Sequence, residues 1–194
     1  MIIRKYTNED ETGWLRCRVL SFLDTAYYDS VFREKEKSAN ESIELVAEED
    51  GKIIGLIDLE LEKETGTVCS PGKGLAAMIW HIAVHPDHQR KGTGESLLNE
   101  AEKICNEFGI TRIEAYTRDD VRVNDWYRKN GFEMIGSYYH IYMVDKDEMK
   151  GLVRSELPKL FPVHTFAHYT GDDIDSLRPR MKRIHECRCY SKNI

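Results

Sequence analysis

No stretch of this chain is apolar for long enough to cross a bilayer, so no membrane span is expected. The opening Met1-Ile2-Ile3-Arg4 reads as the start of a strand and not as the apolar core of a signal peptide, which predicts no secretory leader. Positive charge is not in excess. Asp and Glu outnumber Lys and Arg by 34 to 28, which argues against nucleic acid as a partner. There is no internal repeat and no low-complexity segment. The cysteines, Cys17, Cys69, Cys105, Cys187 and Cys189, are odd in number and irregularly spaced, as expected of thiols in a reducing cytoplasm. His185-x-Cys187-x-Cys189 falls on alternate residues of a predicted strand with no fourth ligand close in sequence. His164 and His168 would join it only on a helix, which Pro162 and Gly171 oppose. No metal is expected.

What is present is ordinary for a folded protein: 194 residues, 41% hydrophobic and 32% charged, enough for one well-filled core and few for two. Periodicity predicts a strand over 2–6 and a helix from Asn8 to Phe22 whose apolar side carries Trp14, Leu15, Cys17, Val19 and Phe22. A weaker helix is expected over Tyr27 to Lys37. Ser42 to Glu48 and Ile53 to Leu61 read as a hairpin about Glu49-Asp50-Gly51-Lys52. A glycine-rich loop follows over Gly66 to Gly74, then a strand over 76–84, a helix over 93–108 and a strand over Ile110 to Thr117. Val121 to Lys129 reads as a short helix and Phe132 to Val144 as a long strand. Asp147 to Leu157 has helical character, Pro158 to Arg180 looks irregular, and Arg183 to Tyr190 alternates like a last strand. Trp14, Trp80 and Trp126 are most simply core.

The chemistry is concentrated between the strand at 76–84 and the helix at 93–108. Pro86 ends the apolar run Ala77 to Val84 by removing a ladder donor. Gln89-Arg90-Lys91-Gly92-Thr93-Gly94 follows, and Leu97, Leu98, Ala101, Ile104, Cys105 and Phe108 then recur at helical spacing, with Gly109 at a C-cap position. A glycine loop that exposes amides at a helix N-terminus, with Arg90 and Lys91 beside it, makes an anion cradle suited to a pyrophosphate. It is not a nucleotide P-loop, since Glu95 stands where Lys-Ser/Thr is required. Nor is it the dinucleotide fingerprint, since Leu97 holds the third glycine position.

The run Ile82-Ala83-Val84-His85-Pro86 followed by Gln89 to Gly94 resembles the GNAT superfamily of N-acetyltransferases, whose pattern is Gln/Arg-x-x-Gly-x-Gly/Ala after a strand ending in Val-x-Pro. A second motif, Asn124-Asp125-Trp126-Tyr127-Arg128-Lys129-Asn130-Gly131-Phe132, is similar to the family's Asn-x-x-Tyr-x-x-x-Gly-Phe. The resemblance covers roughly residues 1–145. It implies an α/β (α+β) fold with a central mixed, mostly antiparallel twisted sheet flanked by helices. Residues 1–194 would form one domain, with 146–181 inserted before the last strand. It implies acetyl-coenzyme A as co-substrate, a small-molecule or peptide amine as acceptor, and leaves a homodimer open.

Residue by residue, the resemblance implies that Gln89, Arg90, Lys91, Gly92, Thr93 and Gly94 hold the pyrophosphate. The backbone of Ile82 and Val84, freed by a bulge, would bind the pantetheine arm, with one N–H facing the thioester oxygen. Asn124 would hydrogen-bond the same arm, and Tyr127 would protonate the leaving thiolate. The base is open. His81 is the one titratable side chain on its strand and needs the bulge to re-aim it; Glu114 on the next strand is the second candidate; ordered water with backbone carbonyls is the third. No cysteine stands where a nucleophile is needed, which predicts direct transfer in a ternary complex. Two other readings compete: a coenzyme A-binding sensor without catalysis, and a transferase for a bulkier acyl group. The insertion carries Leu152, Val153, Leu157, Leu160, Phe161, Val163, Phe166 and Tyr169. These side chains are expected to bury themselves on the sheet near the acceptor groove or on a second subunit.

Overall fold

The computed structural model describes residues 1–194. Eight strands form one sheet: β1 (Ile2–Lys5), β2 (Ser42–Glu49), β3 (Lys52–Leu61), β4 (Leu75–Val84), β5 (Ile110–Thr117), β6 (Glu133–Met143), β7 (Thr165–Tyr169) and β8 (Arg183–Asn193). Their spatial order is β1-β2-β3-β4-β5-β8-β6-β7. Every neighbouring pair is antiparallel except β4 and β5, which are parallel because a helix over 93–107 carries the chain across between them. The β2–β3 hairpin turns on Asp50 and Gly51, both at positive φ (52° and 71°), the geometry that matches strand twist in a two-residue turn.

Helix α1 (Glu11–Phe22) lies on one face of the sheet, with Trp14 and Cys17 packed on Val46, Leu56 and Ala83. Helices α2 (Thr93–Glu107) and α3 (Val121–Lys129) lie on the other, where the main core joins Leu97, Leu98, Ala101 and Cys105 to Leu45, Ile57, Ile79 and Ile113. Gly55 lets α2 come close to β3: a Cβ there would stand 3.0 Å from both Thr93 and Leu97. Thr7 and Asp10 cap the turn that leads into α1. Asp10 also accepts two hydrogen bonds from Arg4 (2.7 and 2.8 Å), and that guanidinium draws its carboxyl down to about 2.

Five expectations are corrected. Tyr27 to Lys37 is not a helix but an irregular strap. Phe32 and Tyr27 anchor it, and Lys35 turns inward to Glu44 (2.9 Å) and to Asp58 (3.5 Å), while Arg33, Glu34, Glu36 and Lys37 stay exposed. Trp80 is not core but 54% exposed. The helix expected over Asp147 to Leu157 shrinks to α4 (Lys146–Met149), and the region read as irregular contains strand β7, paired with β6. In the insertion Met149, Ile174 and Met181 cover Ile141 and Met143, whereas Leu152, Leu157, Leu160, Phe161, Val163 and Phe166 stay exposed. Leu152 to Val163 lie in turns and irregular chain and Phe166 on β7, so within one chain their number did not forecast their burial.

Candidate active site

The site begins where the parallel pair parts. β4 and β5 share rungs from Leu75 opposite Ile110 to Ile79 opposite Ala115, and beyond Ile79 the β5-side edge of β4 has no strand partner. On its other edge β4 stays bonded to β3, but Asp58 pairs with His81 and Leu59 with Ile79, leaving Trp80 as one extra residue. This bulge changes the phase of the strand. Ala77 and Ile79 face α2 before it; after it Ile82 and Val84 do, and His81 and Ala83 turn toward α1.

The cradle lies at the mouth of that opening. None of the N–H groups from Arg90 to Glu95 donates to a protein acceptor; Ser96 N–H to Gly92 O (2.9 Å) is the first bond of the helix. Gly92 caps α2 in the left-handed region (φ 83°), and Arg90 holds φ 61°, an uncommon conformation for a residue with a side chain. Gln89 Nε2 donates to Val84 O (3.1 Å), tying the loop to the strand end, and Lys91 Nζ donates to Asp87 O (3.1 Å). Thr93 is buried against Gly55, while Gly94 packs beside Trp126 and Val84: a Cβ at 94 would lie 3.6 Å from each. A run of free amides, a helix dipole and an exposed arginine fit the diphosphate of a coenzyme.

Trp126 joins the cradle to Tyr127. Tyr127 is buried, stacked on Tyr190 (ring centroids 5.4 Å apart) and edge-on to Phe132 and Trp126, and its hydroxyl has no hydrogen-bond partner. Burial first, then the Tyr27 hydroxyl, push its pKa above the usual phenol value. Asn124 is saturated within the protein. Its Nδ2 donates to Arg118 O (2.7 Å) and Asp120 O (2.8 Å), and its Oδ1 accepts from Tyr190 (2.9 Å) and Arg188 (3.2 Å). The side-chain bond to a pantetheine arm expected of it finds no free donor. Asn124 instead fixes the turn that starts α3 and the tyrosine beneath Tyr127.

The two side chains considered as bases lie on the α1 face, and neither is arranged as one. His81 sits between Trp14 and Phe32; its Nδ1 accepts from Arg18 Nε (3.4 Å) and its Nε2 faces Glu36 (3.5 Å). Burial, followed by the charges of Arg18 and Lys35, lowers its pKa to about 3, too low to hold a proton at neutral pH. Glu114 is 0% exposed, paired with Arg112, and accepts from Ser70 N (2.9 Å), which anchors the 66–74 loop.

Three acids on the same face escaped the sequence reading: Asp58, Glu60 and Glu62, all buried. Their every-second-residue spacing, along β3 and just past its end, was the available signal, and such alternation ordinarily marks a solvated face. Here the strap and the 66–74 loop cover it. Glu62 accepts from the amides of Gly66, Val68, Cys69 and Ala76, Glu60 from Asn40 and Trp80. Asp58 accepts from Trp14 Nε1 (3.1 Å) but has one oxygen unpartnered, and burial raises its pKa to about 7 against the opposing pull of Lys35.

A mixed sheet opened between two parallel strands, with a free-amide helix cap at its mouth, is the architecture of the acetyltransferase fold. The chain belongs to the Acetyltransferase (GNAT) family, whose sequence pattern matches residues 7–132. Among solved structures it is similar to an acetyltransferase of the GNAT family from Streptococcus pneumoniae, 14% identical over 100% of this chain and 99% of that one, TM-score 0.62. It is similar to a ribosomal-protein-alanine N-acetyltransferase from Brucella melitensis, 14% identical over 100% of both chains, TM-score 0.60. It is also similar to the PaiA N-acetyltransferase from Thermoplasma acidophilum in complex with coenzyme A, 22% identical over 69% of this chain and 90% of that one, TM-score 0.53. At these identities the likeness is one of fold. A tRNA uridine(34) acetyltransferase from Methanocaldococcus jannaschii is 36% identical over 77 residues, which is 39% of this chain and 13% of that protein. No helix is long and apolar enough to cross a membrane.

Proposed function

We propose that this chain is a cytoplasmic N-acetyltransferase that moves an acetyl group from acetyl-coenzyme A to a primary amine, small molecule or peptide, by direct attack in a ternary complex. Residues 1–194 act as one domain, with 146–181 inserted. The observation that carries the reading is the run of free amides from Arg90 to Glu95 beside the unpaired edge of β4. Bound acetyl-coenzyme A supplies an acetyl group activated as a thioester. The amides and the α2 dipole bind its diphosphate, and Arg90 adds charge. The free edge at Ile82 and Val84 orients the arm by backbone bonds.

The two faces of the sheet divide the proton work. On the α3 side Tyr127 keeps its proton at neutral pH, because burial disfavours the phenolate, and serves as the acid. The amine approaches from the α1 side. We assign its deprotonation to solvent along the free edge of β4, since His81 is too weak a base and Glu114 is ion-paired. That lack of a dedicated base favours one alternative, a coenzyme A sensor.

Two measurements test this reading. Acetyl-coenzyme A should bind by calorimetry, and thiol release should be stimulated by amines; binding without stimulated release would identify the sensor. Gly94→Val should keep the fold, because a Cβ at 94 meets only ordinary contacts, yet crowd the gap between Val84 and Trp126. An affinity reduced about tenfold or more is expected. Wild-type affinity in that variant would remove the cradle from the site.

A further inference from the structure

Immediately past the last shared rung of β4 and β5, Ile79 opposite Ala115, the next residue on each strand is aromatic: Trp80 and Tyr116. Tyr116 shares a face with Glu114, which pairs with Met78; Met78 pairs with Glu60, and Trp80 is bonded to Glu60. Both rings therefore stand on the α1 side, one at each lip of the opening. They are 54% and 40% exposed. Exposed large aromatics beside a cleft call for an explanation beyond packing.

Trp80 is fixed in place. Its indole Nε1 donates to Glu60 Oε2 (2.8 Å), which turns the ring's polar edge inward. Glu60 is itself buried, and its other oxygen accepts from Asn40 N (3.1 Å) and Nδ2 (2.8 Å); it takes part in no ion pair. Glu62, one strand position further, likewise has only amide donors. The cations on this face bond elsewhere: Lys35 to Glu44 and Asp58, Arg112 to Glu114, Arg18 to Ser30 and Arg118 to Ala26 O and Tyr142. Glu60 thus has no cation paired to it and stands directly behind the indole whose N–H it holds. That bond enriches the ring face in electron density and favours a cation over it. From Tyr116 the shelf continues through Tyr138 (centroids 5.9 Å) to His168 of β7 (4.8 Å), room for an extended acceptor.

The attacking nitrogen gives up its proton before it uses its lone pair, so a cation that stays in place through the reaction is another nitrogen of the same molecule. We propose that Trp80 and Tyr116, backed by Glu60, form an aromatic slot for a second, protonated nitrogen of the acceptor, which makes the acceptor an alkyl diamine or polyamine. This rests on the N-acetyltransferase reading and names its substrate class.

The test compares 1,4-diaminobutane with n-butylamine, which presents the same reacting group without the second charge. Wild-type kcat/KM should favour the diamine by about tenfold or more, the size of a desolvated cation–π contact. In Trp80→Leu and Glu60→Gln the preference should fall to within about threefold, Trp80→Phe should recover part of it, and acetyl-coenzyme A affinity should not change. Calorimetry of both amines, with and without coenzyme A, reads the slot independently of turnover. Equal use and equal binding of the two amines by the wild-type protein, or an undiminished preference in both Trp80→Leu and Glu60→Gln, overturns the proposal. Absence of coenzyme A binding would instead defeat the acetyltransferase reading, and the amine titrations would still decide the slot.

Discussion

Single residues in this protein are tuned by what surrounds them more than by their own chemistry. Tyr127 carries a hydroxyl with no internal partner, so removing it leaves no buried group unsatisfied. Tyr127→Phe should therefore fold with wild-type stability and bind acetyl-coenzyme A unchanged, while turnover falls by about one to three orders of magnitude. Normal turnover would place the acid elsewhere. Asp58 and His81, cross-strand neighbours, are shifted in opposite directions by the same burial: the acid rises to about 7 and the imidazole falls to about 3. The consequences for stability have opposite sign. The folded Asp58 holds its proton more tightly than the unfolded one, so its contribution is full below about pH 4 and is lost as pH rises through 7. The folded His81 resists protonation, so stability is lost as pH falls from about 6.5 toward 3. Asp58→Asn should remove the first dependence and leave the second. Urea unfolding of both proteins between pH 4 and 8 checks this: the stability difference, wild type minus variant, should decline toward pH 8, and a flat difference would refute the shift.

At the scale of elements, the sequence was legible wherever period and punctuation agreed. The β2–β3 hairpin, β4, α2, β5 and α3 stand where alternation, helical spacing, Asp50-Gly51, Pro86 and Gly109 put them. It was misleading where charge and tertiary cover decide. Tyr27 to Lys37 read as a helix, yet it is a strap whose Lys35 dives onto Glu44 and Asp58, ion pairs that no local pattern announces. Trp80 looked like core because its strand is apolar, and only the bulge turns it out. The insertion shows the same limit. Its base is clamped by Glu148, 2% exposed, which accepts from Val144 N (2.8 Å) and Lys182 N (2.7 Å) and so ties the end of β6 to the start of β8. Glu148→Ala would leave both amides without a partner, at a cost of roughly 1–3 kcal/mol each. Hydrogen exchange should then quicken across 144–182 while coenzyme A affinity holds, because the cradle lies on the far side of β5. Faster exchange spreading into α2 would show that the insertion is not a separable unit.

Across the whole molecule, one sheet is divided by one opening. β1 to β4 with α1 and α2 lie on one side of it, β5 to β8 with α3 on the other, and past Ile79 and Ala115 no backbone bond crosses between β4 and β5. A fold with an unpaired interior edge leaves stability to be gained by whatever fills it. A coenzyme bound to the α2 amides and to the free edge of β4 adds its binding energy to folding, since the unfolded chain offers neither group in place. At about one hundred times its Kd this amounts to about 2.7 kcal/mol. For a chain of this size that corresponds to a rise in Tm of about 5–11 °C. The rise should grow with the logarithm of coenzyme A concentration and fall by about half or more in Gly94→Val at the same concentration. Hydrogen exchange should slow most at the amides of 80–84 and 90–95, on both sides of the mouth. A Tm unmoved by millimolar coenzyme A, with wild-type exchange at those amides, would mean that the opening binds something else.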